Sequence, residues 1–265
     1  PEGSRVTVMG DATSSARRRV AQIERHFGRY LLRKKLGQGG MAEVFLADKS
    51  GPGGAKIECA VKRILPNHAD TPERVAFFLQ EMRLAAKLQH RNVVRVYDFG
   101  DVEGVYFLEL ELVRGMDLKT LCDRLRERAQ KHPPRYPGQE RGVLPPLVVT
   151  SVGMQTCEGL AYAHTCRDHD GDVSGVLHRD ISNDNLMATL EGEVKINDWG
   201  ISKGLKGDKN ILSKTNHAYG KLLYAPPEQL GGREIDARAD LYALGISLFK
   251  LLAGRHPYDN PAQPE

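Results

Sequence analysis

The sequence predicts an α+β fold of two lobes, a small antiparallel β lobe with one helix followed by a larger, mainly helical lobe. Strand-like runs separated by Gly-rich turns fill residues 30–112, one amphipathic helical pattern interrupts them, and helical patterns dominate from Leu118 onward. The chain has 265 residues, of which 40% are hydrophobic, and is therefore long enough for two cores. This order of elements favours a cleft between the lobes.

The small lobe is predicted to begin as an antiparallel meander of three strands. These strands are expected at Tyr30–Leu36, Ala42–Ala47 and Ile57–Ile64. The glycines of Gly37–Gly40 predict the first turn, and the Gly- and Pro-rich run Ser50–Ala55 predicts the second.

One helix and two more strands complete this lobe. Residues 73–89 place apolar side chains at helical spacing after the start signal Thr71-Pro72. The runs Val93–Phe99 and Val105–Leu112 predict strands, and Gly100–Gly104 predicts the turn between them.

The remainder of the chain is typical of helices. One segment interrupts them, Lys131–Gly142, which is rich in Pro, Gly and charge and predicts an exposed insertion. The helices are predicted at Leu118–Ala129, Pro146–His164 and Asp240–Leu252, which divides the chain into an arm (1–28), a small lobe (29–113) and a large lobe (114–265).

Composition and charge restrict the class of protein. The net charge of +4 comes from 38 basic and 34 acidic residues, a bias too small to indicate nucleic-acid or membrane binding. The arm, with one short helix at Ser15–His26, is expected to be solvated. Without a bilayer-spanning apolar run or a signal-peptide pattern, we expect a cytoplasmic chain. Four cysteines without a Cys-x-x-Cys pair favour reduced thiols over a zinc site or disulfides.

A Gly-rich loop and a strand lysine indicate a polyphosphate site. In Gly37–Val44, which reads GQGGMAEV, the absent side chains let backbone N–H groups approach phosphate oxygens, although a simple hairpin turn is the alternative. The loop leads into a strand, which excludes a dinucleotide fingerprint. Lys62 on the third strand places a cation under the loop unless it is a surface lysine. Glu81 in the next helix is its natural partner, or else a solvated side chain.

The segment His178–Asn185 carries most of the chemistry. It reads HRDISNDN, in which Asp180 can orient a hydroxyl and Asn185 supplies an amide oxygen. Asp198, just after the strand-like run Glu193–Ile196, adds a second carboxylate. Such hard oxygen ligands suit Mg²⁺, and phosphoryl transfer needs little more than these placed groups.

Together these motifs resemble the protein kinase family, in its order and at its spacing, from about Arg29 to Pro257. The combination of GQGGMAEV, HRDIS and GKLLY is similar to bacterial Ser/Thr kinases. The resemblance implies ATP-dependent phosphorylation of Ser/Thr hydroxyls on protein substrates in bacterial signalling, with ATP and Mg²⁺ as cofactors. It is compatible with self-association for autophosphorylation. It also implies further helices beyond Tyr258, so the large lobe is expected to be incomplete.

The resemblance assigns roles residue by residue. Asp180 becomes the catalytic base, and Lys62 pairs with Glu81 to grip the α- and β-phosphates. Asn185 and Asp198 hold the metal ions. Around the nucleotide, backbone groups of the connector between the lobes bind adenine and an acidic side chain contacts ribose. The implied set is Leu36, Gly37, Gly39, Val44, Ala60, Glu111 and Val113 of the connector, Asp117 at the ribose, and Met187 beneath adenine.

The sequence departs from the family pattern near His178–Asn185, the segment that resembles the family's catalytic loop. The family's lysine two residues after Asp180 is Ser182, and a threonine late in the activation segment is Lys221. Because these positions meet near the transferred phosphate in the family, we hypothesise that Lys221 supplies the charge that Ser182 cannot. A solvent-facing lysine is the alternative. Trp199 replaces the family's phenylalanine, and small Ala85 is expected to make room for it.

The activation segment begins at Asp198 and closes at Tyr224–Gln229, whose YAPPEQ resembles the family's pattern. Arg179 suggests control by a phosphate on Ser213 or Thr215, unless these are merely polar loop residues. A further match, Asp240, lies on the long helix that anchors the catalytic loop in the family.

Two other functions compete with a protein kinase. A pseudokinase or scaffold predicts loss of at least one of Lys62, Asp180, Asn185 and Asp198, and all four are present. A small-molecule phosphotransferase of related fold is disfavoured by Pro227-Glu228, which serves protein substrates in the family.

Overall fold

The computed structural model describes residues 25–39, 42–65, 79, 82–167, 175–199 and 223–259. Its small lobe is a six-stranded antiparallel sheet in the order β1-β2-β3-β4-β6-β5. The antiparallel small lobe predicted from the sequence is therefore confirmed. Its strands are β1 (Arg25–Phe27), β2 (Tyr30–Gln38), β3 (Ala42–Ser50), β4 (Lys56–Ile64), β5 (Val96–Val102) and β6 (Val105–Leu110).

The edge strand β1 was not predicted. Arg25 and His26 belong to it and not to the helix expected at Ser15–His26, whose residues 15–24 lie outside the described part of the chain. Phe27 is buried and meets Phe107 edge-on at 5.7 Å between ring centroids. Residues 25–27 are a strand because they pair with β2 and because the Phe27 ring is buried. Three residues of sequence are too few to predict either contact.

Strand β5 also differs from the expectation of Val93–Phe99. It starts three residues later because Val93 and Val94 turn toward the other lobe, where Val93 bridges Ile196. It then runs through the predicted turn as far as Val102. The true turn is Glu103-Gly104, and both residues have a positive φ.

The long helices predicted from the sequence are present in the structure. Residue 79 and residues 82–87 are helical, in agreement with the helix expected at 73–89, whose residues 73–78, 80 and 81 lie outside the described ranges. The large lobe contains α1 (Leu118–Lys131), α2 (Pro146–His164), α3 (Pro227–Leu230) and α4 (Arg238–Ala253). None of the helices described is both long and apolar enough to cross a membrane.

A small three-stranded sheet lies in the large lobe, in the order β7-β8-β9. Its strands are β7 (Gly115–Asp117), β8 (Leu186–Thr189) and β9 (Val194–Ile196), of which only β9 was anticipated. Gly115 is required in β7, since a Cβ there would come within 1.9 Å of the Ala188 carbonyl oxygen. Strand β7 follows the connector, and β9 ends two residues before Asp198, so this sheet places the two next to each other.

Most of the insertion expected at Lys131–Gly142 is exposed, but its end folds back on the large lobe. Lys131 completes α1, and a 3₁₀ turn at Gln139–Arg141 packs back on this helix. Gln139 is 1% exposed, and its side-chain oxygen accepts a hydrogen bond from the Arg135 N–H at 2.7 Å. Pro and Gly in this segment therefore shape a folded turn.

Three apolar clusters hold the fold together. One lies on the outer face of the large sheet around Tyr30 and Phe45, and a second lies on the inner face around Met82 and Leu108. The third, in the large lobe, joins α1, α2 and α4 and also takes in Ala85 from the small-lobe helix. The catalytic loop and β9 are anchored in it through fully buried Ile181, Leu186 and Ile196.

Candidate active site

Lys62 and Asp198 meet across the cleft, one from each lobe. Lys62 lies on β4, paired with Val44 of β3 and Leu108 of β6, and only 8% of it is exposed. Its Nζ is 2.9 Å from Oδ1 of Asp198. The Asp198 side chain keeps 39% of its surface exposed.

The catalytic loop places Asp180 beside Asn185. The Asn185 Nδ2 donates to the Asp180 carbonyl oxygen at 2.7 Å and to its Oδ2 at 3.2 Å. Both side chains are buried. Since Nδ2 is occupied in this way, the amide oxygen of Asn185 is the atom left for a cation. The Asn197 N–H donates to the Asn185 carbonyl at 2.8 Å, which brings Asn185 next to the segment that bears Asp198.

His178 links these two segments. Its Nδ1 accepts from the Asp180 N–H at 3.2 Å, so we assign the ring proton to Nε2, which lies 2.8 Å from the Asn197 carbonyl. Burial lowers the pKa of His178 and outweighs the raising effect of nearby Asp240. A neutral imidazole therefore fixes the spacing between Asp180 and Asn197.

Asp240 of α4 anchors the loop from below. Its carboxylate accepts from the backbone N–H groups of His178 at 2.8 Å and Arg179 at 2.6 Å, and from His164 Nε2 at 2.8 Å. Burial alone would raise the pKa of Asp240, but these bonds outweigh it and lower the pKa. Arg179 has a φ of 62°, a strained value that the anchor maintains. The sequence had indicated Asp240 but not His164.

The glycine loop connects β2 and β3. Gly37 pairs with Val44 across the β2–β3 hairpin, and the Gly39 N–H donates to the Ala42 carbonyl at 2.8 Å. Leu36, predicted to contact the nucleotide, is 48% exposed.

The apolar side of the cleft is formed by the cluster around Met82 and Leu108 on the inner face of the small-lobe sheet. Ala60 and Leu110 are buried in it, and half-buried Val44 and Val113 pack against it. Three residues expected around the nucleotide, Val44, Ala60 and Val113, thus share one surface.

Asp117 and Met187 face each other in the β7–β8 pair, as expected for neighbours in one pocket. Asp117 has a second role that the sequence analysis missed. Its Oδ1 accepts from the Thr120 N–H and its Oδ2 from the Thr120 hydroxyl, both at 2.7 Å, which makes it the N-cap of α1. An Asp directly before a helical run is a known start signal and could have revealed this.

Four predicted positions cannot be compared with the structure. Glu81, Lys221, Ser213 and Thr215 lie outside the described residues. Trp199 and Ala85 are described, and both are buried in the same apolar cluster. Trp199 also meets His178 edge-on at 4.9 Å between ring centroids. The exchange of volume between Ala85 and Trp199 remains a prediction.

The donor set fits Mg²⁺ in the presence of phosphates. Asp198 offers a carboxylate and Asn185 an amide oxygen, which are hard ligands on adjacent chain segments. Within the described ranges, no group of three or more His, Cys, Asp or Glu residues could hold a metal alone. Mg²⁺ commonly takes one or two protein ligands and completes its shell with phosphates and water, so two donors are sufficient.

Comparison with known proteins agrees with this geometry. The family model of the protein kinase domain matches residues 30–265. The chain belongs to the protein kinase family.

The chain is similar to several bacterial kinases. The chain is 38% identical to the tyrosine-protein kinase MasK of Myxococcus xanthus and 32% identical to the serine/threonine-protein kinase PrkC of Bacillus subtilis, over 88% of its length in each case. It spans about a third of these relatives, 34% and 31% respectively. The crystal structure of the Mycobacterium tuberculosis PknI kinase domain superposes with a TM-score of 0.63 at 28% identity, covering 92% of this chain and 82% of that one. The two-lobed kinase fold is thereby confirmed.

Proposed function

We propose that this chain is an active protein kinase that transfers the γ-phosphoryl group of ATP to Ser or Thr hydroxyls of protein substrates in bacterial signalling. The observation that carries the proposal is the meeting of Lys62 and Asp198 beside the paired Asp180 and Asn185. A pseudokinase typically lacks one of these four groups. We place the reaction in the cytoplasm, where ATP is available.

Each of the four side chains has a distinct task in this proposal. Asp180 accepts the proton of the acceptor hydroxyl, and Asn185 holds the Asp180 carboxylate in place. Lys62 binds the α- and β-phosphates, for which it must exchange its Asp198 contact for phosphate oxygens. Glu81 would then become its partner. Bound Mg²⁺, held by Asp198 and Asn185, would neutralise charge on the phosphates.

The nucleotide is proposed to bind between the glycine loop and the connector. Gly37 and Gly39 let backbone N–H groups approach phosphates, while Glu111 and Val113 present backbone groups to adenine. Within the described part of the chain, no hydrogen bond engages the Glu111 carbonyl or the Val113 N–H, so both are available to a ligand. The remaining lining is proposed as Leu36, Val44, Ala60, Met187 and, at the ribose, Asp117.

Ser182 bears on the choice of acceptor. Most Ser/Thr kinases carry a lysine at this position, whereas here the buried Ser182 hydroxyl has no hydrogen-bond partner among the described residues. We propose that Lys221 supplies the missing charge, which keeps Ser/Thr as the acceptor. Tyrosine is the second candidate, favoured by the absent lysine and by the relative named a tyrosine-protein kinase.

The test is transfer of labelled phosphate from Mg-ATP to the chain itself and to a peptide library, followed by phosphoamino-acid analysis. We expect phosphoserine or phosphothreonine, and no product from Asp198→Ala. Phosphotyrosine would show instead that tyrosine is the acceptor. Nucleotide binding without any product would identify a pseudokinase.

A further inference from the structure

Lys195 of β9 lies where three chain segments meet. Its Nζ is 2.8 Å from Oε1 of Glu111 in the connector, and it donates to the Arg91 carbonyl at 2.9 Å. The Lys195 side chain is 11% exposed and the Glu111 side chain 25%. This ion pair is thus largely shielded from water. A charge pair in such a shielded position interacts more strongly than one at an open surface.

Glu111 is fixed from its other side as well. Its N–H donates to the Arg95 carbonyl at 2.8 Å, and its Oε2 accepts from the Arg95 N–H at 3.2 Å. Both carboxylate oxygens and the amide of this connector residue are therefore engaged. Of its polar groups, the carbonyl remains open to a ligand.

The support beneath Glu111 is itself rigid. The Val94 N–H donates to the Ile196 carbonyl and the Ile196 N–H donates to the Asn92 carbonyl, each at 2.9 Å. Buried Asn92 adds a bond from its side-chain Nδ2 to the Val194 carbonyl at 2.8 Å. Residues 91–95 and β9 thus form one hydrogen-bonded platform to which Lys195 ties the connector.

We propose that Lys195 is a positioning residue for the nucleotide. Acting through Glu111, it fixes the connector carbonyl that meets the base of a nucleoside triphosphate, without touching the phosphates or the acceptor. The inference rests on the proposed nucleotide site. Lys195 lies outside that site but contributes to the free energy of nucleotide binding. The connector carbonyl that it holds in the bound position loses less entropy when the ligand binds.

The expected signature is a change in nucleotide affinity with little change in turnover. Losing the constraint of a partly buried ion pair corresponds to about three- to tenfold in a dissociation constant. We therefore expect Lys195→Met, which keeps the apolar stem, to raise KM for ATP and Kd for Mg-ADP by that factor and to leave kcat within about twofold. Lys195→Arg should restore most of the affinity.

The residue just before β9 provides a matched control. Glu193 pairs with Arg91 of the same segment at 2.9 Å, but the two side chains are 38% and 65% exposed. Glu193→Gln should leave Kd for Mg-ADP unchanged. If Lys195→Met fails to fold by circular dichroism, Glu111→Gln decides the question, with the same direction expected.

Calorimetric titration with Mg-ADP and steady-state kinetics with Mg-ATP separate the outcomes. Unchanged affinity in the deciding variant, or an equal loss in Glu193→Gln, would overturn the role of Lys195 while leaving the kinase assignment intact. A fall in kcat at constant KM would also overturn it. No binding of Mg-ADP by the unmodified chain would overturn both proposals.

Discussion

Single residues determine how charge is distributed around the transferred phosphate. Ser182 and its neighbour Asn183 are buried, and in the part of the chain that the structure describes each has a side-chain oxygen without a hydrogen-bond partner. A neutral hydroxyl cannot replace an ammonium group in stabilising the charge that develops during transfer. Lys221, outside the described residues, is the proposed source of that charge.

Lys221→Met should therefore reduce kcat by about a hundredfold or more, comparable to Lys62→Met, because removing one group that stabilises the transition state commonly has this effect. KM for ATP should change less. Steady-state kinetics on both variants measures this, with Lys34→Met, an exposed lysine of β2, as the control. Near-normal turnover in Lys221→Met would show that this lysine faces solvent.

At the scale of elements, the start of α1 links stability to the nucleotide site. Asp117 caps this helix through Thr120 and also stands where a ribose contact is proposed. Asp117→Ala should lower the free energy of unfolding by about 1 kcal/mol, whereas Asp117→Ser, which can still cap, should retain most of it. If the ribose contact exists, both variants should raise KM for ATP to a similar extent.

Denaturant unfolding and kinetics on the same pair of variants separate the two roles. Asp123→Ala, further along α1, removes a carboxylate that only makes exposed ion pairs with Lys119 and Arg126. It should change stability by less than about 0.5 kcal/mol. A Ser variant as unstable as the Ala variant would mean that the cap does not account for the effect.

The elements also show what the sequence could and could not predict. Gly-rich turns separate the strands β2, β3 and β4, and α2 is a long apolar run, so the structure has these elements close to the predicted bounds. The strand β8, only four residues long, pairs with β9 just after it and with β7 far earlier in the chain. The pairing with β7 has no local signal in the sequence. Site prediction was limited in the same way.

The catalytic groups follow from motifs, but their supports do not. Asp180 and Asn185 stand in one short motif, so their proximity is encoded locally. His164 and Lys195 act through contacts 76 and 84 residues away in the chain, with Asp240 and Glu111. Lys195 has no feature in the sequence that separates it from any other strand lysine.

For the whole molecule, the two lobes are joined by polar contacts as well as by the connector. The platform of residues 91–95 on β9 and the pair of Lys62 with Asp198 cross from one lobe to the other. The apolar cluster of the large lobe reaches across too, since Ala85 and Leu88 of the small lobe are buried in it. Unfolding of the large lobe should therefore expose part of the small-lobe core.

Acid should destabilise this whole assembly through its buried histidines. His256, after α4, accepts from the Tyr258 N–H at 3.3 Å, which leaves Nε2–H to donate to the Leu223 carbonyl at 3.2 Å. Burial lowers the pKa of His256, outweighing the Leu223 carbonyl and Asp259, which raise it, while nearby Lys250 lowers it further. The folded chain thus binds the proton less readily than the unfolded chain.

The sign of the pH dependence follows from this difference in proton binding. Below about pH 6.5 an unfolded histidine takes up a proton that buried His256 refuses, so stability is present above that pH and is lost as the pH falls toward the lowered pKa. The loss should approach about 1.4 kcal/mol per pH unit for each such histidine. The pKa of Asp240 is also lowered, so its stabilisation is present above about pH 4 and is lost only below that pH, outside this window. Denaturant unfolding between pH 7.5 and 5 should show a shallower acid slope for His256→Gln than for the unmodified chain. Identical slopes would mean that His256 binds a proton equally well in the folded and the unfolded chain.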